Sequence, residues 1–277
     1  MEAIARLIDT GTDELRCEVR ERVAVITLNR PQARNSLSDQ LSPALREVIR
    51  FCAEDAQVGA VMITGAGAAF CAGGDVKGMG SASNPAKRDW TTAQRVADLQ
   101  DRHRRLTGAL VALRKPTLAA LPGPAAGAGL SIALACDLRV ASASVKITTA
   151  FAKVGLSGDY GGTYFLTQML GSARARELYL MSPVLTAPEA LALGLVTKVV
   201  PDAEVDAAAH ELAMSLAQGP SVTLGYIKKN INNAEHMSLE ACFDAEAMNH
   251  SRSGETADHK EAAKAFVEKR KPVFQGH

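Results

Sequence analysis

Between Lys115 and Asp137 the chain carries no charged residue. A run of that length can cross a bilayer as a helix. Here, however, Pro116, Pro122, Gly123, Pro124, Gly127 and Gly129 interrupt it. Proline removes a backbone donor and glycine loosens a helix, so the run breaks into pieces. The reading that survives is a buried strand over Leu118–Leu121, a tight Gly/Pro turn and a buried helix over Leu130–Cys136. Such a segment belongs in a protein core, and no membrane association is expected.

Composition agrees. The 277 residues suit one large domain, or one domain with a smaller appendage. Apolar residues make up 47% and charged residues 22%, the balance of a soluble globular protein. A chain of this length buries about three quarters of its unfolded surface and needs no staples. Lys and Arg number 31 against 30 Asp and Glu, leaving a net charge of +1. A dedicated nucleic-acid binder shows a basic excess, so none is expected as a partner. Cys17, Cys52, Cys71, Cys136 and Cys242 form no C-x-x-C pair, which reads as reduced thiols in a cytoplasmic protein. The amino terminus lacks the basic-then-apolar order of a signal peptide.

Strand and helix signals alternate through the first part of the chain. Leu15, Cys17 and Val19 alternate with charged residues, and Val23 to Leu28 is a continuous apolar run; both read as strands. Ser38 offers an N-cap to a helix whose buried face is Leu41, Leu45, Val48, Ile49 and Cys52. Ala60 to Thr64 is a short buried strand, Gly78 to Arg88 a loop rich in Gly, Ser and Asn. Val96, Leu99, His103, Leu106, Leu110 and Leu113 step by threes and fours, which predicts one long amphipathic helix. Val140 to Thr148 adds short strands, and Thr186-Ala-Pro-Glu189 is a capping box. From Asp202 the pattern is helical, with breaks near Gly219-Pro220 and Ser251 to Gly254. An α/β core of strand–helix units over residues 1–200, followed by a helical region over 201–277, is therefore expected.

Two glycine-rich segments invite chemistry. Gly65-Ala-Gly67 follows a strand, but Phe70 stands where a dinucleotide fingerprint needs its third glycine, and no P-loop Lys-Ser/Thr follows. Nicotinamide and nucleoside-triphosphate cofactors are thereby excluded. Gly73-Gly74 leaves backbone bare of Cβ, so an N–H can reach into a cleft. Gly123-Pro-Ala-Ala-Gly-Ala-Gly129 leads into a helix start, whose free N–H groups suit an oxyanion. Two such donors on one carbonyl oxygen make an oxyanion hole; tight turns are the commoner role of either segment. The histidines show no metal spacing such as H-E-x-x-H.

Several stretches together resemble the enoyl-CoA hydratase/isomerase, or crotonase, superfamily. They are Val25-Ile-Thr-Leu-Asn-Arg-Pro31 with Asn35-Ser-Leu37, Phe70-Cys-Ala-Gly-Gly-Asp-Val-Lys77, and Lys115-Pro-Thr with Gly127-Ala-Gly129 and Cys136-Asp137. Gly161-Gly-Thr163, Gly194-Leu-Val196 and the closing Phe266 to Lys269 complete the set. The resemblance implies a spiral of β-β-α units with a helical C-terminal region that builds trimers or pairs of trimers. It implies an acyl-CoA substrate, with CoA part of the substrate and no separate cofactor. The backbone N–H groups of Gly74 and Ala128 would form the oxyanion hole. Ala33, Arg34, Ala72, Asp75 and Lys77 would line the CoA channel, and Phe266 and Lys269 would come from a neighbouring subunit.

The departures from the family pattern carry as much information. Enoyl-CoA hydratases activate water with two glutamates, and this chain has Ser131 and Phe151 at those places. Neither side chain exchanges protons near neutral pH, so the two-glutamate route is closed. Eight residues beyond Phe151 stands Asp159, in a string that resembles the ring-1,2-epoxyphenylacetyl-CoA isomerase subgroup. There an Asp in this place is the base. Set among Phe151, Leu156 and Tyr160, Asp159 would be partly desolvated and suited to an isomerase. Capping the helix near Gly161 is the ordinary alternative for such an Asp. A related arrangement, in 4-chlorobenzoyl-CoA dehalogenase, pairs the Asp as nucleophile with a His on the preceding helix, here His103. Phe151, His103 and Ser131 would line the acyl pocket. A non-catalytic acyl-CoA- or RNA-binding member is a further alternative; Arg102, Arg104 and Arg105 form a small basic cluster, the usual mark of a solvated helix face.

Overall fold

A computed structural model describes residues 5–75 and 89–277; Lys77 and the expected Gly78–Arg88 loop lie outside the described residues. After a short strand β1 (Arg6–Ile8), β2 (Leu15–Arg20) buries Leu15, Cys17 and Val19 and turns its charged residues outward. β3 (Val23–Leu28) and β4 (Ala60–Gly65) are apolar on both faces, as strands covered from two sides must be. Between them α1 (Leu41–Glu54) buries the expected stripe Leu41, Leu45, Val48, Ile49 and Cys52. Ser38 does cap it, from two residues before the formal N-cap: its Oγ accepts the N–H groups of Gln40 at 3.2 Å and Leu41 at 2.9 Å.

The long helix predicted from Val96 to Leu113 is not continuous. α2 (Thr92–His103) runs into a π-helical turn, Arg104–Gly108, and then α3 (Ala109–Ala112). Leu106, Leu110 and Leu113 are buried, but Val96 and Leu99 are 48% and 41% exposed. An i→i+5 turn adds a residue to the helical repeat, so the apolar stripe does not stay on one face.

The uncharged run folds as expected, into β5 (Thr117–Leu121), β6 (Ala125–Ala126) and α4 (Ala128–Ala135), buried on all sides. There follow β7 (Leu138–Ser142), β8 (Lys146–Thr148), α5 (Gly162–Met181), β9 (Leu185–Thr186), α6 (Ala187–Ala192) and β10 (Lys198–Val200). Four helices close the chain: α7 (Val205–Ala217), α8 (Ser221–Ala234), α9 (Leu239–Gly254) and α10 (Ala257–Val267). The break expected at Ser251–Gly254 comes slightly later, where Thr256 caps α10 through the His259 N–H. The α8–α9 break at residues 235–238 carries no Gly or Pro and escapes sequence reading.

Seven strands form one sheet in the order β1-β2-β3-β4-β5-β7-β10, antiparallel from β1 to β3 and parallel beyond. A smaller sheet, β6-β8-β9, is extended by a bridge between Cys71 and Ala125. Each pass of the chain thus adds a strand to the large sheet, a short strand to the small one and then a helix. That repetition is a spiral of β-β-α units. One core fills the space between the sheets, α1, α4 and α5. On the other face of the large sheet, Val205, Ala209, Ala213 and Ala217 of α7 pack on Val25, Met62, Leu118 and Val140. The approach is close: a Cβ on Gly59 would stand 2.5 Å from the Ala217 carbonyl oxygen. Among the described residues no helix is long and apolar enough to cross a membrane.

Candidate active site

The first glycine turn is held from both sides. Asn35 is fully buried; its Oδ1 accepts the Arg30 N–H at 2.9 Å, and its Nδ2 donates to Ala66 O at 3.0 Å and Ala69 O at 2.8 Å. This clamp sets Ala69–Gly74 beside the 30s loop, where Ala72 N–H bonds Arg34 O at 2.9 Å and Leu37 N–H bonds Gly73 O at 2.8 Å. Along the other edge, Cys71 N–H reaches Pro124 O at 3.2 Å and Ala126 N–H reaches Cys71 O at 3.0 Å. The two glycine-rich segments are therefore neighbours. At Gly73 (φ 91°) a Cβ would stand 2.8 Å from Ala126 O and 3.2 Å from Ala128 N, so only glycine lets the turns meet.

The donors follow from this arrangement. Leu37 pairs with the Gly73–Gly74 run on one side, so the Gly74 N–H points to the other. Ala128 is the first residue of α4, where helical N–H groups have no partner within the helix. Neither amide has a hydrogen-bond acceptor among the described residues. Two unpaired donors on adjoining turns are what polarisation of a carbonyl oxygen requires.

Asp159 lies in a glycine-rich loop that abuts the second turn. Gly155, Gly158 and Gly161 have left-handed φ values, as does buried Tyr160 (φ 51°). The histidine expected on the preceding helix is in place: His103, the last residue of α2, pairs through Nε2 with Asp159 Oδ1. The same oxygen accepts the Tyr160 N–H at 2.9 Å. Oδ2 has no partner among the described residues. The carboxylate is 23% exposed, set into the protein and not turned out to bulk solvent. It is not the side-chain cap of α5, whose N-cap Gly161 has none; its main-chain oxygen accepts the Gly162 N–H instead.

The aromatic surroundings differ from expectation in one member. Phe151 and Tyr160 are buried, whereas Leu156 is 48% exposed. Tyr179 of α5 is stacked on Phe151 with ring centroids 5.9 Å apart, near enough to Asp159 to feel its charge. Burial, and then the nearby Asp159 charge, push the phenols of Tyr160 and Tyr179 up to about 12; the Ser131 hydroxyl opposes the effect on Tyr179. Both phenols are neutral near pH 7 and cannot act there as bases. Phe151 also borders the second glycine turn, since a Cβ on Gly127 would lie 3.8 Å from its Cζ. Ser131 is buried, its Oγ 2.9 Å from Asp159 O and 3.3 Å from Gly127 O.

Of the residues expected along the CoA channel, Ala33 and Arg34 close the turn after Pro31, and Ala72 is bonded to that turn. Asp75 pairs with Arg30, 3.4 Å away. Phe266 and Lys269 sit at the exposed end of α10. Among the described residues no group of three or more His, Cys, Asp or Glu is placed to hold a metal ion. Sequence reading missed the Asn35 clamp and Tyr179. The motif Asn35-Ser-Leu37 marked the first without its function, and nothing local marks the second.

Comparison with known proteins fits this geometry. The sequence model of the Enoyl-CoA hydratase/isomerase family matches residues 18–277. The chain is 36% identical over 259 residues to a 1,2-epoxyphenylacetyl-CoA isomerase of Escherichia coli, covering 93% of this chain and 97% of that protein. It is 33% identical over 253 residues to a short-chain-enoyl-CoA hydratase of Clostridium acetobutylicum, covering 90% and 93%. The crystal structure of an enoyl-CoA hydratase from Polaromonas sp. JS666 superposes with a TM-score of 0.87 at 30% identity, over 94% of this chain and 99% of that one. With the spiral of β-β-α units and the adjoining glycine turns, these matches place the chain in the enoyl-CoA hydratase/isomerase family, whose crotonase fold it has.

Proposed function

We propose that the protein is an acyl-CoA isomerase that moves a proton with Asp159 while the Gly74 and Ala128 amides hold the thioester oxygen. The observation that carries this reading is the replacement of both hydratase glutamates by buried Ser131 and Phe151, with Asp159 the carboxylate beside them. In the forward step Asp159 Oδ2 takes a γ (or α) proton from an enoyl-CoA. The electron pair of the broken C–H bond spreads into a dienolate whose oxygen the two amides stabilise. Asp159 then returns the proton at the other carbon, and the double bond has moved. No water is consumed. His103 and the Tyr160 N–H hold Oδ1, so the free oxygen faces one direction.

Ala33, Arg34, Ala72, Asp75 and Lys77 line the CoA channel in this reading, with Lys77 facing phosphate, and Phe266 and Lys269 serve a neighbouring subunit. Exposed Ile227, Ile231, Phe243 and Met248 on α8 and α9 support a trimer or a pair of trimers. Five free cysteines, four of them buried, suit the cytoplasm.

Proton exchange of an enoyl-CoA in deuterated water tests the assignment. Asp159→Asn is expected to lower exchange by about a hundredfold or more, and crotonyl-CoA hydration by the native protein to stay negligible. Exchange unchanged in Asp159→Asn, or hydration at ordinary enzyme rates, overturns it.

A further inference from the structure

The Ser131 hydroxyl performs a task that proton transfer itself does not need. Ser131 is 1% exposed, and its Oγ is aimed at main-chain oxygens. The shorter contact, 2.9 Å, goes to Asp159 O; the longer, 3.3 Å, goes to Gly127 O in the turn before Ala128. The single hydroxyl proton is directed to Asp159 O, while Gly127 O already accepts the Ser131 N–H at 3.1 Å, so one residue near the start of α4 is bonded both to the loop that carries the carboxylate and to the turn before Ala128. That loop needs an anchor. Gly155, Gly158 and Gly161 give it more backbone freedom than any other residue type would. Besides Ser131, the Asp159 carbonyl is held by the Gly162 N–H at 3.2 Å. Gly162 itself is fitted to the hydroxyl: a Cβ there would stand 2.4 Å from Ser131 Oγ and 2.4 Å from the Tyr179 hydroxyl.

We propose that Ser131 is a positioning residue, a strut that fixes the Asp159 main chain relative to the oxyanion-hole turn. The proposal rests on Asp159 being the base. It gives the Glu-to-Ser departure a positive meaning. At this buried position the side chain is spent on holding the base loop.

The test compares Ser131→Ala, Ser131→Thr, Asp159→Asn and the Ser131→Ala/Asp159→Asn double variant, measuring kcat and KM for exchange and the melting temperature. Ser131→Ala is expected to lower kcat by roughly ten- to a hundredfold, the cost of a reacting group misplaced by an ångström, with KM and melting little changed. Ser131→Thr keeps a hydroxyl and is expected to recover most of kcat. In the Asp159→Asn background Ser131→Ala should add no further loss, because the group it positions is gone. Wild-type kcat in Ser131→Ala alongside a full loss in Asp159→Asn overturns the strut alone. So does an equal further loss in the double variant, which marks a general structural defect. Unchanged exchange in Asp159→Asn overturns the base assignment, and the strut with it.

Discussion

A tyrosine in water releases its proton near pH 10, and loss of solvent beside a carboxylate delays that release. Tyr160 and Tyr179 meet both conditions, and their phenols are pushed up to about 12, by burial first and the Asp159 charge second. Each contributes stability that is present in full below about pH 10 and lost as pH rises through about 12, since the unfolded chain ionises sooner. The melting temperature should therefore fall across that window, and Tyr179→Phe should show a smaller fall than the native protein. An equal fall in both would mean that Tyr179 does not titrate late. At this scale the sequence was readable for identity but not for direction. Asp159 and Ser131 stood out as departures from a pattern, whereas the hydroxyl's aim at Asp159 O depends on α4 and the 155–161 loop being adjacent.

Among the elements, the π turn at Arg104–Gly108 decides where His103 points. Within the turn Leu106 and beyond it Leu110 are fully buried; upstream, α2 buries no residue completely. The downstream part is thus the anchored one. Deleting Arg105 would restore an ordinary helical repeat and rotate α2 by about 100° relative to the core, taking His103 off Asp159. Far-UV circular dichroism should stay helical while exchange falls by roughly ten- to a hundredfold, the usual range for loss of a group that orients a reacting one. Retained activity would show that the His103–Asp159 bond has no bearing on the rate. The threes-and-fours spacing from Val96 to Leu113 could not reveal the turn. Periodicity locates apolar residues, but a single inserted residue shifts their face without changing their identity.

Over the whole molecule, a buried polar junction helps tie the helices beyond the sheet to it. Lys228 of α8 is 8% exposed and bonds Asp137 Oδ2 at 2.9 Å and Leu110 O at 2.9 Å. The same carboxylate oxygen accepts the N–H and hydroxyl of Thr117 at 2.7 and 2.8 Å, at the start of β5. The ammonium therefore joins α8, the end of α3 and the large sheet at one point. Lys228→Met should destabilise the fold by roughly 2–3 kcal/mol, since a charged hydrogen bond is lost and its partner is left only partly solvated. Chemical denaturation measures this; a change within error would show that the Lys228 junction does not stabilise the fold. Cys136-Asp137 was legible as a motif, but its partner lies 91 residues away.

The sequence by itself determined the order of strands and helices in the first part of the chain, the burial of the uncharged run and the membership of the family. Apolar periodicity, glycine and proline placement, and motif order are local properties, and local steric and hydrophobic preferences suffice to act on them. Tertiary structure alone decided that Gly73 lets two turns touch, that Tyr179 stacks on Phe151, that α7 covers the sheet, and that the Ser131 hydroxyl meets the Asp159 carbonyl. Each of these is a meeting of residues far apart in the chain. Such meetings depend on how whole elements pack, and a side chain's neighbours are set only when that packing is complete.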